Sequence, residues 1–385
     1  SVTDFGANPH DDVSSDSCLA FNQSIEFVRT SNATVLRIPT GTYHFHWDQC
    51  VQALIYVSNT AMTPLPPKAI GLWLRDLTDV VVQGEGSLLL FHGLMTPIAV
   101  DHSVNVTVTD LAVDFPHPSV IEAQVVAATN TTIDLQVHPS ANYTFTSTHG
   151  ILFGSDEGWS LDGVDGFKPV VEGDGSPTLC QEFDPLTDTT WRRGNPLVDT
   201  TITQLPQPHR IRISAQLPSQ LQDVPAIGHW LWWRDGGRAN AGILTQYSTN
   251  VSYVNVAMRF MSGFGVVAQY TKDITLRNLT VEPTSSGGRG CASQADILHF
   301  SGCAGLISVV GGRFLGSQDD AVNVHSTHLQ VVQQLSPSCI VVQFMQDESY
   351  GFPAFFSNDR IQFTRADTLE GFADAFVKTA TLRNS

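Results

Sequence analysis

Five short segments of this chain share one pattern: a turn-forming Asn, Asp or Gly followed by alternating apolar residues. They are Thr78-Asp79-Val80-Val81-Val82-Gln83-Gly84, Val104-Asn105-Val106-Thr107-Val108-Thr109-Asp110-Leu111, Asn250-Val251-Ser252-Tyr253-Val254-Asn255-Val256, Asp273-Ile274-Thr275-Leu276-Arg277-Asn278-Leu279-Thr280 and Gly305-Leu306-Ile307-Ser308-Val309-Val310-Gly311-Gly312. Asp79 and Asn105 are 26 residues apart, Asn250 and Asp273 are 23 apart, and Asp273 and Gly305 are 32 apart. Alternation is the period of a strand with one buried face. A repeat in the twenties makes each unit too small to bury a core alone, so the units must stack. Hairpin-linked strands of a sandwich would recur about every 8–12 residues. The expected fold is therefore all-β, a parallel β-helix.

Two stretches break the period. From about Phe115 to Arg234 the strands shorten. Ala123–Ala127 and Thr132–Val137 flank Thr129-Asn130 as in a hairpin, and Arg210-Ile211-Arg212-Ile213 alternates. The pattern returns in His328–Val332, Cys339–Phe344 and Asp359–Phe363. Both stretches read as inserted antiparallel β-barrel subdomains. The expected organisation is a cap with the first coils over 1–115, a β-barrel over 116–234, coils over 235–326 and the start of a second β-barrel over 327–385. Ser285-Ser286-Gly287-Gly288-Arg289-Gly290 reads as a loop inserted into one coil. Ser17 to Arg29 is the best helix candidate, with Phe21, Ile25 and Val28 on one face, and would cap the open end of the solenoid.

The chain has 385 residues, 42% hydrophobic and 15% charged, enough to bury a large core. A net charge of −17 disfavours nucleic acid and anionic membranes as partners. No apolar run is long enough for a transmembrane helix. Seven Asn-x-Ser/Thr sequons (Asn22, Asn32, Asn105, Asn130, Asn142, Asn250 and Asn278) and six cysteines point to a secreted, extracellular glycoprotein with disulfides. Thr-rich strands also produce sequons by accident. Cys291 and Cys303 are one pair that could bridge the loop carrying Asp296, though spacing does not fix connectivity. No CxxC pair occurs, so neither a zinc site nor any other cofactor is expected. The chain opens on Ser1 without Met and stops at Ser385, as expected of a mature fragment or a cut domain.

Chemistry concentrates in two stretches one coil apart. Ser293-Gln294-Ala295-Asp296-Ile297-Leu298-His299-Phe300 carries Asp296, and Gly316-Ser317-Gln318-Asp319-Asp320-Ala321-Val322-Asn323-Val324-His325-Ser326 carries Asp319 and Asp320. Neighbouring strands lie roughly 4.8 Å apart, so the three catalytic candidates would form one cluster. Diagonal pairs reach roughly 7–8 Å, which suits the carboxyl separation of about 6.5–9.5 Å in inverting glycosidases. On a regular strand Asp319 and Asp320 would diverge. A turn at Gly316 would let both face one cleft. Crowded carboxylates cannot all ionise freely, which supplies an acid. An ordinary turn or a calcium site is the alternative. His325 lies on the strand face of Asn323, and Arg289 and His299 lie near Asp296; these four are candidate sugar contacts. Trp230, Trp232 and Trp233 would either stack on a sugar or pack a barrel–helix junction.

Val2–Ala7, Asp11-Asp12 and Ile38-Pro39-Thr40-Gly41-Thr42-Tyr43 resemble the opening of pectin-type β-helix enzymes. The stretches RDGGRANAG from Arg234, ADILHF, GSQDDAVNVHST and NDRIQF stand in the order found in glycoside hydrolase family 110. That resemblance implies a right-handed β-helix interrupted by two barrels. It also implies an inverting exo-α-1,3-galactosidase acting on galactose-terminated glycans, with Arg234 and Asn240 in the binding site. By analogy with β-helix glycosidases, Asp319 is the general acid, and Asp296 and Asp320 share the water-activating role. The polygalacturonases of family 28 also carry one Asp and then an Asp pair. Their Gly-His-Gly and Arg-x-Lys motifs are absent after Asp320. An endo-hydrolase of acidic polysaccharide and a non-catalytic carbohydrate-binding solenoid remain the alternatives.

Overall fold

The computed structural model describes all residues except 11, 61–66, 147–149, 155–158, 160, 163–167, 170–178, 195–199, 216–223, 235–237, 285–286 and 383–385. The periodic segments stack in parallel. Strands Thr78–His92, Val104–Asp114, Thr249–Met258, Lys272–Arg277 and Ala304–Val310 form consecutive rungs of one sheet. A second sheet stacks Lys68–Arg75, Met95–Asp101, Ala241–Gln246, Phe264–Gln269, Leu298–Ser301 and Val322–His325. The expected parallel β-helix is the architecture of the chain.

The turn residues explain the repeat. Asp79, Asn105, Asn250 and Asp273 all have φ near +55°, and Gly305 takes the same place in the last coil with φ 71°. Left-handed backbone is tolerated by Asn, Asp and Gly and costs other residues. Stacked at rung spacing, these side chains bond one another. Asn105 Nδ2 donates to Asp79 Oδ1 at 2.5 Å, and Asn250 Nδ2 donates to Asn105 Oδ1 at 3.1 Å. A second ladder runs from Asn255 Nδ2 to Asp110 Oδ1 (2.8 Å) and from Asn278 Nδ2 to Asn255 Oδ1 (3.0 Å). Three sequon asparagines, Asn105, Asn250 and Asn278, therefore have a structural reason to be Asn. Between the ladders the apolar positions form core columns, such as Val80, Val106, Val251 and Ile274, each buried.

Asn105 and Asn250 are neighbours in the ladder but 145 residues apart in sequence. The excess length is the first insertion, where a barrel was expected. Its seven-stranded antiparallel sheet spans Ile121 to Arg234 and has its own core of Ile121, Val125, Leu135, Ile213, Leu231 and Trp233. The strand Trp230–Arg234 alternates between two environments: Leu231 and Trp233 fill the barrel, while Trp232 joins the solenoid core and stacks on Phe183 at 5.1 Å. The tryptophans pack the junction, and the sugar-platform expectation is corrected for the buried Trp232 and Trp233.

Helix Cys18–Thr30 covers the first coil, with Phe21 edge-on to Tyr43 and Phe45. The Cys18–Cys50 disulfide ties the helix to that coil. Cys291 and Cys303 are free, which corrects the pairing considered from sequence. Cys291 precedes the Ser293 corner, and Cys303 follows the strand Leu298–Ser301, where its Sγ donates to the Ala268 carbonyl at 3.3 Å. At the far end Val322 and Val324, in register with Leu298 and Phe300, are 51% and 63% exposed. Among the described residues no helix is long and apolar enough to cross a membrane. Hairpins Leu329–Ser336/Cys339–Phe344 and Arg360–Thr364/Gly371–Phe376 follow the last coil.

Candidate active site

The sequence Ser-Gln-x-Asp occurs twice, as Ser293–Asp296 and Ser317–Asp320, and builds the same corner in adjacent coils. Ser293 and Ser317 bridge in parallel. Each serine hydroxyl donates to the carbonyl two residues on: Ser293 Oγ to Ala295 O at 3.0 Å and Ser317 Oγ to Asp319 O at 2.8 Å. These turns bend the chain just before the strands Leu298–Ser301 and Val322–His325 begin. Gly316 enters its corner at φ 73°, and a Cβ there would meet the Gly290 carbonyl at 2.4 Å. The turn expected at Gly316 is thus present, and it releases Asp319 and Asp320 from strand alternation.

The corner repeat puts Asp296 beneath Asp320, with Ile297 N donating to the Asp320 carbonyl at 2.9 Å. One carboxylate oxygen each of Asp296, Asp319 and Asp320 lies within 4.8 Å of the others. The acids sit on directly stacked corners and not at diagonal strand positions. Asp296 is buried, Asp319 half-buried and Asp320 exposed. Burial works against the charge on Asp296. The hydrogen bond and charge of His299, the Asn323 amide and the Arg238 guanidinium outweigh it, so the carboxyl titrates below the usual range.

Histidines buttress this acid. His299 is fully buried, and its Nδ1 lies 2.8 Å from Asp296 Oδ2. Its Nε2 lies 2.9 Å from His325 Nε2. The network assigns His299 Nδ1–H as donor to the carboxylate and His325 Nε2–H as donor to the free His299 nitrogen. Burial first, then the neighbouring His299, holds the His325 pKa below its ordinary value. Asn323 Nδ2 donates to the same Asp296 oxygen at 3.1 Å. His299, Asn323 and His325 therefore come together around Asp296. His299 is corrected from a sugar contact to a buried support, since its ring has no exposed surface.

Both arginines and Asn240 are buried or half-buried beside the coils. Arg234 is buried and donates from Nε to Gln318 Oε1 at 2.8 Å. Gln318 is further held by its Nε2 against Cys291 Sγ (3.6 Å) and by Gln181 Nε2 on its carbonyl (3.0 Å). Arg234 thus joins the first barrel to the residue that precedes Asp319. Arg289 grips both oxygens of Asp114 at 2.8 and 3.0 Å and the Phe115 carbonyl at 3.0 Å. It ties the inserted loop to the coil from which the barrel departs. Beside it Glu122, pushed up to about 7 by burial, accepts from the amides of Gly290 and Cys291. Asn240 is buried; its carbonyl accepts from Phe264 N at 3.0 Å, while its side-chain oxygen has no protein partner. Arg234 through its Nε and Arg289 through its terminal nitrogens are thus both bonded within the protein.

Two residues escaped the sequence reading. Arg238 Nη1 donates to Asp319 Oδ2 at 3.2 Å, and its Nη2 donates to Glu348 Oε2 at 3.1 Å. Arg238 lay inside the stretch already singled out after Arg234, whose residues 235–237 fall outside the described ones. Glu348 carried no signal, since it follows a hairpin outside the coil repeat.

Residues 339–385 match the GLAA-B beta-barrel domain II model. The chain is 32% identical over 382 residues to alpha-1,3-galactosidase A of Bacteroides fragilis, covering 98% of this chain and 59% of that protein. It is 28% identical to alpha-1,3-galactosidase B of Parabacteroides distasonis, covering 95% of this chain and 57% of that protein. The chain therefore spans under two thirds of the length of these relatives. Both accord with the resemblance to glycoside hydrolase family 110. Among solved structures, the A-module of mannuronan C-5 epimerase AlgE6 of Azotobacter vinelandii is similar at a TM-score of 0.37 and 13% identity, covering 83% of this chain and 57% of that one.

Proposed function

We propose that this chain carries the catalytic face of a glycoside hydrolase that removes terminal α-1,3-linked galactose from glycans. The carrying observation is the convergence of Asp296, Asp319 and Asp320 within 4.8 Å, in a chain whose relatives are named alpha-1,3-galactosidases. The acid corner is flanked by the first barrel through Gln181 and Arg234, and by the segment carrying Glu348. Such walls support exo action on a chain end. Asp319 protonates the glycosidic oxygen as the C1–O bond breaks. A water adds its oxygen to C1, and its proton passes to Asp296 or Asp320. Asp296, ionised and held by His299 and Asn323, suits the base.

Inversion is proposed on the third carboxylate, which lets two acids hold the water while the other protonates the leaving group. The short oxygen separation favours one rival. Retaining enzymes place their carboxyls about 5–5.5 Å apart, with one acting as nucleophile. Proton NMR of a terminal α-1,3-galactoside digest distinguishes them. β-Galactose is expected first, and α-galactose first would instead make a carboxylate the nucleophile. Catalysis by carboxylates alone further predicts that EDTA leaves the rate unchanged.

Secretion is supported by the Cys18–Cys50 bridge and by the four sequons outside the ladders, Asn22, Asn32, Asn130 and Asn142. Differential alkylation and mass spectrometry of protein from its source are expected to show that one bridge, four free thiols and glycans among those four asparagines. Six free thiols without glycans would place folding in a reducing compartment.

A further inference from the structure

We propose that Glu348, supplied by the segment after the strand Cys339–Phe344, shares Arg238 with Asp319 and thereby lets Asp319 hold the proton it delivers; this rests on the glycosidase reading above. Two nitrogens of one guanidinium reach two separate carboxylates, at 3.2 Å for Asp319 and 3.1 Å for Glu348. The guanidinium lies 5.5 Å above the ring of the buried Phe264, which packs in turn on His299 at 4.8 Å. Arg238 is thus held beside the acids on one side and faces Glu348 on the other.

The charge arrangement gives Glu348 its role. Among the described residues, the groups facing Asp319 are the cation Arg238 and the carboxylates Asp296 and Asp320, with His299 and His325 behind Asp296. An arginine paired with one carboxylate holds it ionised and unable to donate. A second carboxylate on the same guanidinium offsets that pull. Glu348 is placed for this by its neighbour. Ser349 is fully buried, and its hydroxyl accepts from Asn59 N at 3.3 Å and donates to Asn59 Oδ1 at 3.2 Å. Tyr350 packs edge-on to Tyr56 at 5.6 Å. These two contacts pin the segment just after Glu348 to the stretch that carries Tyr56 and Asn59, so the region after the last coil contributes to the acid chemistry without touching an acid.

The test compares pH profiles of kcat and kcat/KM for the full chain and three variants on a terminal α-1,3-galactoside. Glu348→Gln leaves Arg238 to act on Asp319 alone. The alkaline limb is expected to move down by about one pH unit, which lowers kcat roughly tenfold above that limb with KM little changed. Arg238→Gln should move the limb up, and Glu348→Asp should restore most of the shift. A uniform loss at every pH, or an unmoved limb in Glu348→Gln, overturns the proposal in favour of a structural role. If the unaltered chain cleaves no galactoside, the glycosidase reading fails separately. Carbon NMR titration of aspartate-labelled protein, with Asp319 assigned through Asp319→Asn, then reads the pair directly. A downward shift in Glu348→Gln and an upward one in Arg238→Gln are expected; an unshifted Asp319 overturns the proposal.

Discussion

Asp319→Asn is expected to lower kcat on a terminal α-1,3-galactoside by about a thousandfold, within the range of 10²–10⁴ or so for general acid catalysis. The amide is nearly isosteric but has no proton to give to the leaving oxygen. KM should change little, because Asp319 is assigned to the transition state and not to ground-state binding. Stability should change little as well. Arg238 keeps Glu348, and the lost ion pair is 22% and 28% exposed at its two ends, where such pairs contribute about 0–1 kcal/mol. A galactoside whose leaving group needs no proton, such as the fluoride, should be cleaved by the variant far better than the natural linkage. Retention of more than a tenth of the activity on the natural linkage, in a folded variant, would remove Asp319 from the acid role.

Arg234→Ala is expected to cost about 3–5 kcal/mol in denaturant unfolding, through a cavity and a stranded buried acceptor. Arg234 is 2% exposed and its Nε satisfies Gln318 Oε1 at 2.8 Å. Without it, Gln318 Oε1 loses the Arg234 donor, while the bonds to Cys291, Gln181 and the Ser293 carbonyl remain. Because Gln318 directly precedes Asp319, the acid should lose its placement, and kcat should fall about a hundredfold, the scale of a 1 Å misplacement. Gln318→Ala should reproduce the kcat loss with a smaller stability cost. The double variant should lose less than the sum, as residues in one network do. An increase in KM alone, with Gln318→Ala silent, would return Arg234 to a substrate-binding role.

The coil period was legible because the backbone imposes it. Left-handed turn positions recur in every rung, Asn, Asp and Gly hold the columns that begin at Asp79 and Asp110, and the intervening strand must alternate to bury one face. The acid cluster was legible for the same reason. Ser293–Asp296 and Ser317–Asp320 are one corner written twice, and stacking brings equal positions together. What Arg234, Arg289, Arg238 and Glu348 do was not legible. Arg234 meets Gln318 across 84 positions, Arg289 meets Asp114 across 175, and Arg238 meets Glu348 across 110. Those contacts join insertions to coils and follow no period, so the family motif at Arg234 and the nearness of Arg289 to Asp296 in sequence could not foretell them.

The sequence by itself therefore determined the stacked architecture and the meeting of Asp296, Asp319 and Asp320, because both follow from a local repeat multiplied by rung spacing. Only the tertiary structure decided how those acids are electrostatically set. That depends on which charges the inserted barrel segments bring to the corner, and desolvated charge interactions are governed by distance and burial in space, not by spacing along the chain.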